Sequence, residues 1–477
     1  MERPIKHSAV IKRAYDSVLA LDDADLCAAG VHDPSQLYAP VITYPAMSMM
    51  KPASVDSLLA HSPEVSETVA LYVHIPFCIT RCLFCHWVVK LGSDEDEMGR
   101  YLECLNLELV RYRERLNRDR IAVSSILVGG GTPSLLGPGH IERFIEILQT
   151  NLDLSGCKQF SFEGEPSTFL GDLGAERLRA LKAGGVDRIS MGVQSFEDEL
   201  LKKNARHHTA KQARESIERI HEFGIESVSI DMIYGLTGQT LDNWVHSLEE
   251  AIASGADAWQ LYRLRIAPCG DRPGGVVRHA SRNPDQYSTV DQTLVMKMLG
   301  IEMSENAGFL QHYTRIFARG PEHISYYLHD VNARLSDVIG VGISSWGNID
   351  NTYLLNIGND FPRYFEAVEG GGFSVDRGMV RNADEEARHA FILQLKNWKV
   401  DYGLFRARTG RNPRDCFGGT IDKMLGLRLI SEDEEGIALT ERGRFYADQV
   451  VAQFTSAEFF PSTDSRPETL GSSPLTA

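Results

Sequence analysis

From Leu71 onward the chain alternates short apolar runs with long amphipathic stretches, six times over. The runs are Leu71–Ile75, Ser125–Val128, Gln159–Glu163, Arg188–Gly192, Ser227–Ile233 and Trp259–Ile266. Between them lie Met98–Leu116, Pro138–Asn151, Gly174–Ala183, Ala210–Phe223 and Leu241–Ser254, each with helical periodicity. Apolar runs bounded by turn residues read as buried strands, and strands separated by helices give a parallel sheet with helical crossovers. The sheet is either open or curled into a barrel. If it is a barrel, ligand-binding residues belong at the carboxyl ends of successive strands.

The flanks are organised differently. Residues 1–70 mix short helical patterns with Pro and Ser breaks. ITYPAMSMMKP (Ile42–Pro52) reads as extended, because the residue before each Pro is pushed out of the helical region. After residue 270 the alternation degrades. DRPGGVVRHASRNPDQ reads as a polar Gly/Pro-rich loop, followed by a helix over Gln286–Asn306. Asp337–Gly347 is apolar and Gly-rich, as a buried stretch near a ligand would be. From Ser374 the composition turns charged, and the pattern of helix, hairpin and helix suggests a small winged-helix-like module. Its acidic residues make it a solvated cap rather than a nucleic-acid reader. The expected division is an N-terminal extension over 1–70 that contributes to the active site, a core over 71–300, its completion and linker over 301–373, a C-terminal domain over 374–455, and a Ser/Thr/Pro-rich disordered tail over 456–477.

Composition narrows the class. With 43% hydrophobic residues the chain is not disordered overall, and its net charge of −16 argues against a general polyphosphate-binding surface. An anionic substrate in a local basic pocket stays open. No apolar run approaches the roughly 20 residues of a membrane span, and the N-terminus lacks the pattern of a signal peptide, so the expectation is a cytoplasmic protein.

Eight cysteines are too few for a disulfide scaffold in a chain of 477 residues. Cys27, Cys104, Cys157, Cys269 and Cys416 are scattered and read as small buried hydrophobes, although Cys269 follows the sixth strand and can face the cavity. Cys78, Cys82 and Cys85 are crowded into LYVHIPFCITRCLFCHW. A tetrahedral zinc site would need a fourth ligand, for which His86 is placed awkwardly beside Cys85. Three thiolates on one loop suit three corners of a [4Fe–4S] cubane, leaving one iron open.

This three-then-two spacing, with Phe84 before the last cysteine, resembles the radical SAM superfamily. YVHIPFC, VGGGTPSLL and RISMGVQSF are more specific and resemble the group around oxygen-independent coproporphyrinogen III oxidase, also called HemN-like. The resemblance extends from about Tyr44 to Phe454. It implies a partial (β/α)6 TIM barrel with a small C-terminal domain. It also implies a [4Fe–4S] cluster at Cys78, Cys82 and Cys85, with S-adenosylmethionine chelated to its open iron and cleaved to a 5′-deoxyadenosyl radical. An external electron donor of flavodoxin or ferredoxin type, two cofactor molecules and a monomeric chain are expected with it.

The same resemblance implies the cofactor contacts. Gly130, Gly131 and Thr132, in the turn after the second strand, receive the methionyl amino group. The glycines permit close backbone approach and can expose N–H groups. Glu163 ends the third strand as the family's acidic contact, while Glu165 reads either as a solvated loop residue or as a catalytic candidate. Gln194 carries donor and acceptor for a sugar or adenine edge. Arg206 pairs with the cofactor carboxylate, for which a guanidinium fork is well shaped. Asp231 lies near a second cofactor, and Ala267 and Trp346 line adenosine pockets. Phe84 joins the cofactor-binding set, and Tyr72 joins it as well as the catalytic set.

Three reactions compete: oxidative decarboxylation of a porphyrinogen, haem carriage, and alkylation of an sp² carbon with two cofactors. The oxidases carry a further cysteine two residues after the third, where this chain has Trp87. The chaperones carry an H-N-x-x-Y-W string, where His323-Ile324-Ser325-Tyr326-Tyr327 lacks the Trp. The expected activity is therefore methyl or methylene transfer to a planar aromatic or heterocyclic substrate, with the other two as alternatives. His86 and Trp87 can stack on such a substrate. His86, Tyr313 and Glu165 are the candidate bases.

Overall fold

The computed structural model describes residues 7–34, 41, 43–61, 64–267 and 274–459. Cys269 and residues 460–477 of the expected tail lie outside the described residues. Six strands form the core: β1 (Val69–Ile75), β2 (Ile121–Gly130), β3 (Gln159–Gly164), β4 (Arg188–Gln194), β5 (Ser227–Tyr234) and β6 (Ala258–Arg263). They pair in parallel and in sequence order. Further along lie β7 (Leu310–His312), β8 (Ile316–Ala318), β9 (Val338–Val341), β10 (Trp346–Ile349), β11 (Thr352–Asn356) and β12 (Val375–Val380). The full order is β12-β11-β10-β9-β1-β2-β3-β4-β5-β6-β8-β7, with Lys51–Pro52 on the outer edge of β12. A seventh parallel strand, β9, thus sits beside β1, while β8 closes the other side antiparallel to β6. Right-handed crossovers that always advance one strand curl the sheet, and the antiparallel strands at both ends leave it a part-barrel.

The crossovers are α1 (Glu95–Leu116), α2 (Pro138–Asn151), α3 (Gly171–Ala183), α4 (Ala210–Glu222) and α5 (Leu241–Ala253). α1 begins earlier than the apolar pattern suggests because Asp94 caps it, accepting from the Glu97 N–H at 2.9 Å. Thr209 and Thr240 form capping boxes with Gln212 and Asn243. The sixth run ends as a strand at Arg263 rather than Ile266. There the Leu264 N–H turns to the Tyr234 carbonyl, and Leu264 and Ile266 are buried against Phe84. The stretch expected as a loop before the next helix instead holds α6 (Gly275–Arg282). The helix after it, α7 (Val290–Asn306), starts at the Thr289 capping box rather than at Gln286. In the described part of that stretch, residues 43–52, a short 3₁₀ turn at Met47–Met49 interrupts the expected extended path.

Period-two alternation divides each strand between two faces. Leu71, Val73, Ile126, Val128, Phe160, Phe162, Ile189, Met191, Val228, Ile230 and Trp259 are buried in the main core against the helices. The opposite, inner face carries Tyr72, Ser125, Ser161, Glu163, Arg188, Ser190, Ser229, Asp231, Gln260 and Tyr262. It is polar, with Arg188 donating to Ser161 at 2.9 Å and Tyr262 to Gln260 at 2.7 Å. The amino end of this interior is capped by residues 321–333, a turn followed by a short helix and one π turn. Gln159 bonds the Ile324 carbonyl and the Tyr326 N–H, both at 2.9 Å, His323 meets Ser227, and Asp330 accepts from Ser124 and Ser125. Tyr327 of this cap lies against Tyr72.

The N-terminal helix Ser8–Ala20 docks on the outside of the core, where Ser17 donates to Glu302 of α7. Met47 and Met50 of the extension pack with Trp346 and Tyr353. β12 pairs with β11 in the main sheet, so the core runs to Val380, past the expected boundary at 373. The C-terminal unit begins at α8 (Ala383–Lys396), capped by Asn382 and acidic in its first turn. A three-stranded sheet of Lys399–Asp401, Ile430–Glu432 and Gly436–Leu439 follows among helices. Arg381, Glu386 and Arg408 tie this unit to the core through the Asp350 carbonyl and Asp337. Among the described residues no helix is long and apolar enough to cross a membrane.

Candidate active site

The cysteine loop leaves the carboxyl end of β1 and is fastened on three sides. The Gly131 and Thr132 N–H groups donate to the Ile75 and Phe77 carbonyls at 2.8 and 2.7 Å. The Leu83 N–H donates to the Asn204 carbonyl, and the Val276 N–H of α6 to the Leu83 carbonyl. All three loop thiols are half-buried and unbridged. Thr132 lies 3.4 Å from Cys78, and the Arg206 Nη1 donates to Cys82 at 3.3 Å. Burial pushes Cys78 up to about 12 and raises Cys85 as well, so loading these ligands with metal must expel protons. Among the described residues no three His, Cys, Asp or Glu side chains converge on a point that one ion could occupy. The three thiols are not gathered around one point as a mononuclear zinc ion would hold them. A cubane takes each thiolate at a different iron and needs no such convergence.

The expected cofactor residues gather beyond this loop. A Cβ on Gly131 would lie 2.6 Å from the Pro76 carbonyl carbon, so only glycine lets these two strand ends approach. Gly130 has φ of +108° and packs on the His74 ring. The N–H groups of this turn are not exposed as expected. Gly130 donates to Glu163 at 3.2 Å, and Gly131 and Thr132 are bonded to the loop root. A ligand ammonium needs acceptors, which this arrangement does not consume. Gln194 sits at a bulge with φ of +69°, in the left-handed region that a non-glycine residue seldom adopts without a functional reason. A Cβ on Gly192 would strike the Gln194 amide at 2.7 Å. Arg206 donates to the Gly192 carbonyl as well as to Cys82.

Whether these residues fit a polar cofactor is decided by what they leave unsatisfied. The Ser190 Oγ, Gln194 Oε1, Arg206 Nε, Ser229 Oγ and Asp231 Oδ1 are buried without a hydrogen-bond partner, and so is Arg188 Nη2. Buried polar groups are normally paired, and a cluster of orphans of both signs around one inner face matches a ligand with carboxylate, ammonium and hydroxyl groups. The residues present fit the cluster and S-adenosylmethionine.

Two carboxylates share this interior. Burial pushes Asp231 up to about 7, Glu163 adding to the shift against Arg188. Burial likewise raises Glu163, against the Gly130 N–H. The folded protein therefore holds a proton on Asp231 that the unfolded chain releases near the ordinary value of 3.8. Stability of the ligand-free protein should fall as pH rises from about 4 to about 7. Asp231→Asn removes that penalty. Its melting temperature should exceed that of the wild type at pH 8, by on the order of 1 kcal/mol in stability, and match it near pH 4. Paired calorimetric scans check this, and equal curves at both pH values would refute it.

Several expected roles change. His86 is neither a base nor a stacking surface. It is buried, with Nδ1 accepting from the Gly274 N–H at 2.9 Å and Nε2 donating to the Arg265 carbonyl at 3.0 Å. It ties the cysteine loop to the chain on either side of residues 268–273, and burial lowers its pKa. Trp87 beside it is exposed. Glu165 is not solvated. It lies 2.9 Å from His208 Nδ1 and bonds Ser167. Burial alone would raise it, but these bonds and the Arg206 charge outweigh that and hold it below the usual carboxylate range. It therefore supports His208 and Arg206 rather than standing ready as a base. Tyr313 is bonded to His329 of the capping segment at 3.1 Å. Tyr72 donates to His74 at 3.0 Å, and burial raises its pKa. Phe84 packs against Ile233, Leu264 and α6. Ala267 is the last described residue before Pro268, and Trp346 stacks on Tyr353 with ring centroids 5.8 Å apart.

Sequence reasoning missed His74, Arg188, Ser190 and His208. Arg188 and His74 carried a signal, a polar side chain inside an apolar strand at the inward period. His208, two residues beyond Arg206, carried none.

With this geometry established, comparison with known proteins assigns the chain. The radical SAM superfamily model matches residues 72–251 and the HemN C-terminal domain model matches residues 382–446. Residues 72–251 are thus similar to the radical SAM core. The pairing of that core with a HemN-type C-terminal domain supports a radical SAM, HemN-like grouping. It is 28% identical over 394 residues to the heme chaperone HemW of Bacillus subtilis, covering 80% of this chain and 98% of that protein. It is 26% identical over 412 residues to the oxygen-independent coproporphyrinogen III oxidase of Pseudomonas aeruginosa, covering 83% and 87%. The structure of coproporphyrinogen III oxidase (HemN) from Escherichia coli superposes with a TM-score of 0.74 at 24% identity, over 87% of this chain and 96% of that one. The shared fold is the part-barrel with its C-terminal unit.

Proposed function

We propose that this chain is a radical SAM enzyme that abstracts hydrogen from a propionate-bearing tetrapyrrole, in the manner of the oxygen-independent coproporphyrinogen III oxidases. The observation that carries the enzyme reading is the set of orphaned polar atoms on Ser190, Gln194, Arg206 and Asp231 beside the three-thiol loop. The named relatives are oxidases and heme chaperones, which supports tetrapyrrole chemistry over the alkylation expected from the sequence.

A [4Fe–4S] cluster with S-adenosylmethionine at its open iron supplies, on one-electron reduction, the oxidising power to take a hydrogen atom from unactivated carbon. In this reading Cys78, Cys82 and Cys85 hold the cluster. Arg206, already beside Cys82, offers its unpartnered Nε to the cofactor carboxylate. Glu163 and the Gly130–Thr132 turn face the ammonium. Gln194 and Asp231 present their orphaned oxygens to hydroxyl or ring-edge donors. Phe84, Ala267 and Trp346 line the adenosine side. Tyr72, with Tyr327 packed against it, would bound the substrate side of this interior. A second cofactor molecule, a monomeric chain and a one-electron donor of flavodoxin or ferredoxin type belong to the same proposal.

The test is anaerobic incubation of the reduced, cluster-loaded protein with coproporphyrinogen III and S-adenosylmethionine bearing a deuterated methyl group. Release of 5′-deoxyadenosine with carbon dioxide is expected. S-adenosylhomocysteine with deuterium in the product would instead establish alkylation. Tight haem binding without cofactor cleavage would establish a carrier, the reading favoured by the near-complete coverage of HemW.

A further inference from the structure

The backbone strain of the candidate site is concentrated at Gln194. Its φ is +69°, and across it the Ser195 N–H donates to the Val193 carbonyl at 2.9 Å. A hydrogen bond between residues two apart around a positive φ is the rare, strained form of γ-turn. The turn lays the Gln194 amide over Gly192, where a Cβ would lie 2.7 Å from its nitrogen. It also leaves the Gln194 Oε1 buried, with no hydrogen-bond partner among the described residues. Backbone in such a conformation persists only where its surroundings over-determine it.

Those surroundings are specific. Downstream, the Ser195 Oγ lies 3.1 Å from the Ser247 Oγ and accepts from the Glu197 N–H at 3.1 Å. Upstream, Arg206 donates to the Gly192 carbonyl. Between them the Val193 carbonyl faces a second donor, the Nε2 of the buried His208, at 3.0 Å. A carbonyl only accepts, so this nitrogen carries a hydrogen. At the other ring nitrogen Glu165 Oε1 lies 2.9 Å away, and Glu165 is itself fixed by the Ser167 N–H at 3.0 Å. The imidazole is therefore held from just past the end of β3 while it holds the end of β4. Ser195 already pairs the Val193 carbonyl, so the bond from His208 is not needed to satisfy it. What that bond adds is direction, because it fixes the peptide that enters the turn and with it the aim of the Gln194 side chain.

The segment that bears His208 also reaches the cysteine loop. The Asn204 carbonyl accepts from the Leu83 N–H at 3.2 Å, and Arg206 donates to Cys82 at 3.3 Å. We infer that His208 is a positioning residue for S-adenosylmethionine: its Nε2–H bond to the Val193 carbonyl fixes the turn at Gln194, so that the Gln194 amide is aimed at the cofactor before the cofactor binds. The inference rests on the cofactor reading of the site and is independent of which substrate follows.

Binding of S-adenosylmethionine is measured by anaerobic calorimetry on cluster-loaded protein without reductant, so that nothing turns over. Two substitutions separate the bonds of the ring. Gln places an amide nitrogen near the position of Nε2, and Asn near that of Nδ1. His208→Asn should weaken binding about tenfold or more, the scale on which outer partners of ligand residues act, and His208→Gln should recover most of that loss. Iron content and unfolding midpoint serve as controls. Gln194→Gly removes the side chain being aimed, so His208→Asn should cost little further in that background, and fully additive losses would overturn the inference. Equal losses in the Asn and Gln variants, or no loss in either, also overturn it. Failure of the Gln variant to load the cluster assigns His208 to the fold and overturns it as well. If the Asn variant alone fails to load, affinity near that of the wild type in the Gln variant supports the inference, and a loss of about tenfold there overturns it. A cluster-loaded wild type that binds no S-adenosylmethionine defeats the cofactor reading itself.

Discussion

Cys82→Ala protein should take up no cubane cluster on anaerobic reconstitution. The visible iron–sulfur charge-transfer absorption should be absent, and cleavage of S-adenosylmethionine should fall below detection. The reason is stoichiometric. Three protein thiolates hold three irons, and two cannot keep the cluster while leaving one iron open. The effect should not come from misfolding, because Cys82 is half-buried and, among the described residues, the hydrogen-bonding contact of its thiol is the Arg206 Nη1 at 3.3 Å. The unfolding midpoint of the metal-free variant should therefore match that of metal-free wild type. Cys416→Ala provides the contrast, since that thiol lies on a helix of the C-terminal unit and should leave the absorption intact. A retained [4Fe–4S] spectrum in the Cys82→Ala protein would overturn the assignment of the whole loop.

The largest expected loss of stability lies away from the chemistry. Glu108 is fully buried on α1 and accepts from the Gly342 N–H and the Tyr364 hydroxyl, each at 2.8 Å, from the Asn356 amide at 3.3 Å, and from Ser374. One carboxylate thus joins α1 to the end of β9, to β11 and to the approach to β12. Burial raises its pKa, but four donors arranged around two oxygens demand an acceptor. Glu108→Ala strands all four in the interior and should cost about 3–5 kcal/mol. Glu108→Gln keeps the volume but turns an amide NH₂ toward the donors, and should cost about 1–3 kcal/mol. Denaturant midpoints of the cluster-free proteins measure both. A Glu108→Ala midpoint within error of the wild type would show that this network carries no net stability.

The alternation of strands and helices was legible because each strand has one face in the apolar core and each helix one apolar stripe. Pro138–Asn151 emerged with the boundaries its pattern suggests. The cysteine loop, the glycine turn, Gln194 and Arg206 were legible because they lie in short contiguous strings. Roles that depend on a distant partner were not. His86 looked like a base because nothing beside it in the chain announces the Gly274 N–H, 188 residues away. Glu165 looked solvated because His208 lies 43 residues on.

By itself the sequence determined a parallel sheet with helical crossovers and a three-thiol loop after its first strand, and by resemblance it implied a part-barrel. Periodicity and short motifs suffice for this because they reflect hydrogen bonding and burial that repeat every few residues. The tertiary structure alone decided which polar atoms are left unsatisfied and which candidate bases are already spent on structural bonds. Those are properties of the space between elements, set by long-range packing, and no local pattern encodes them.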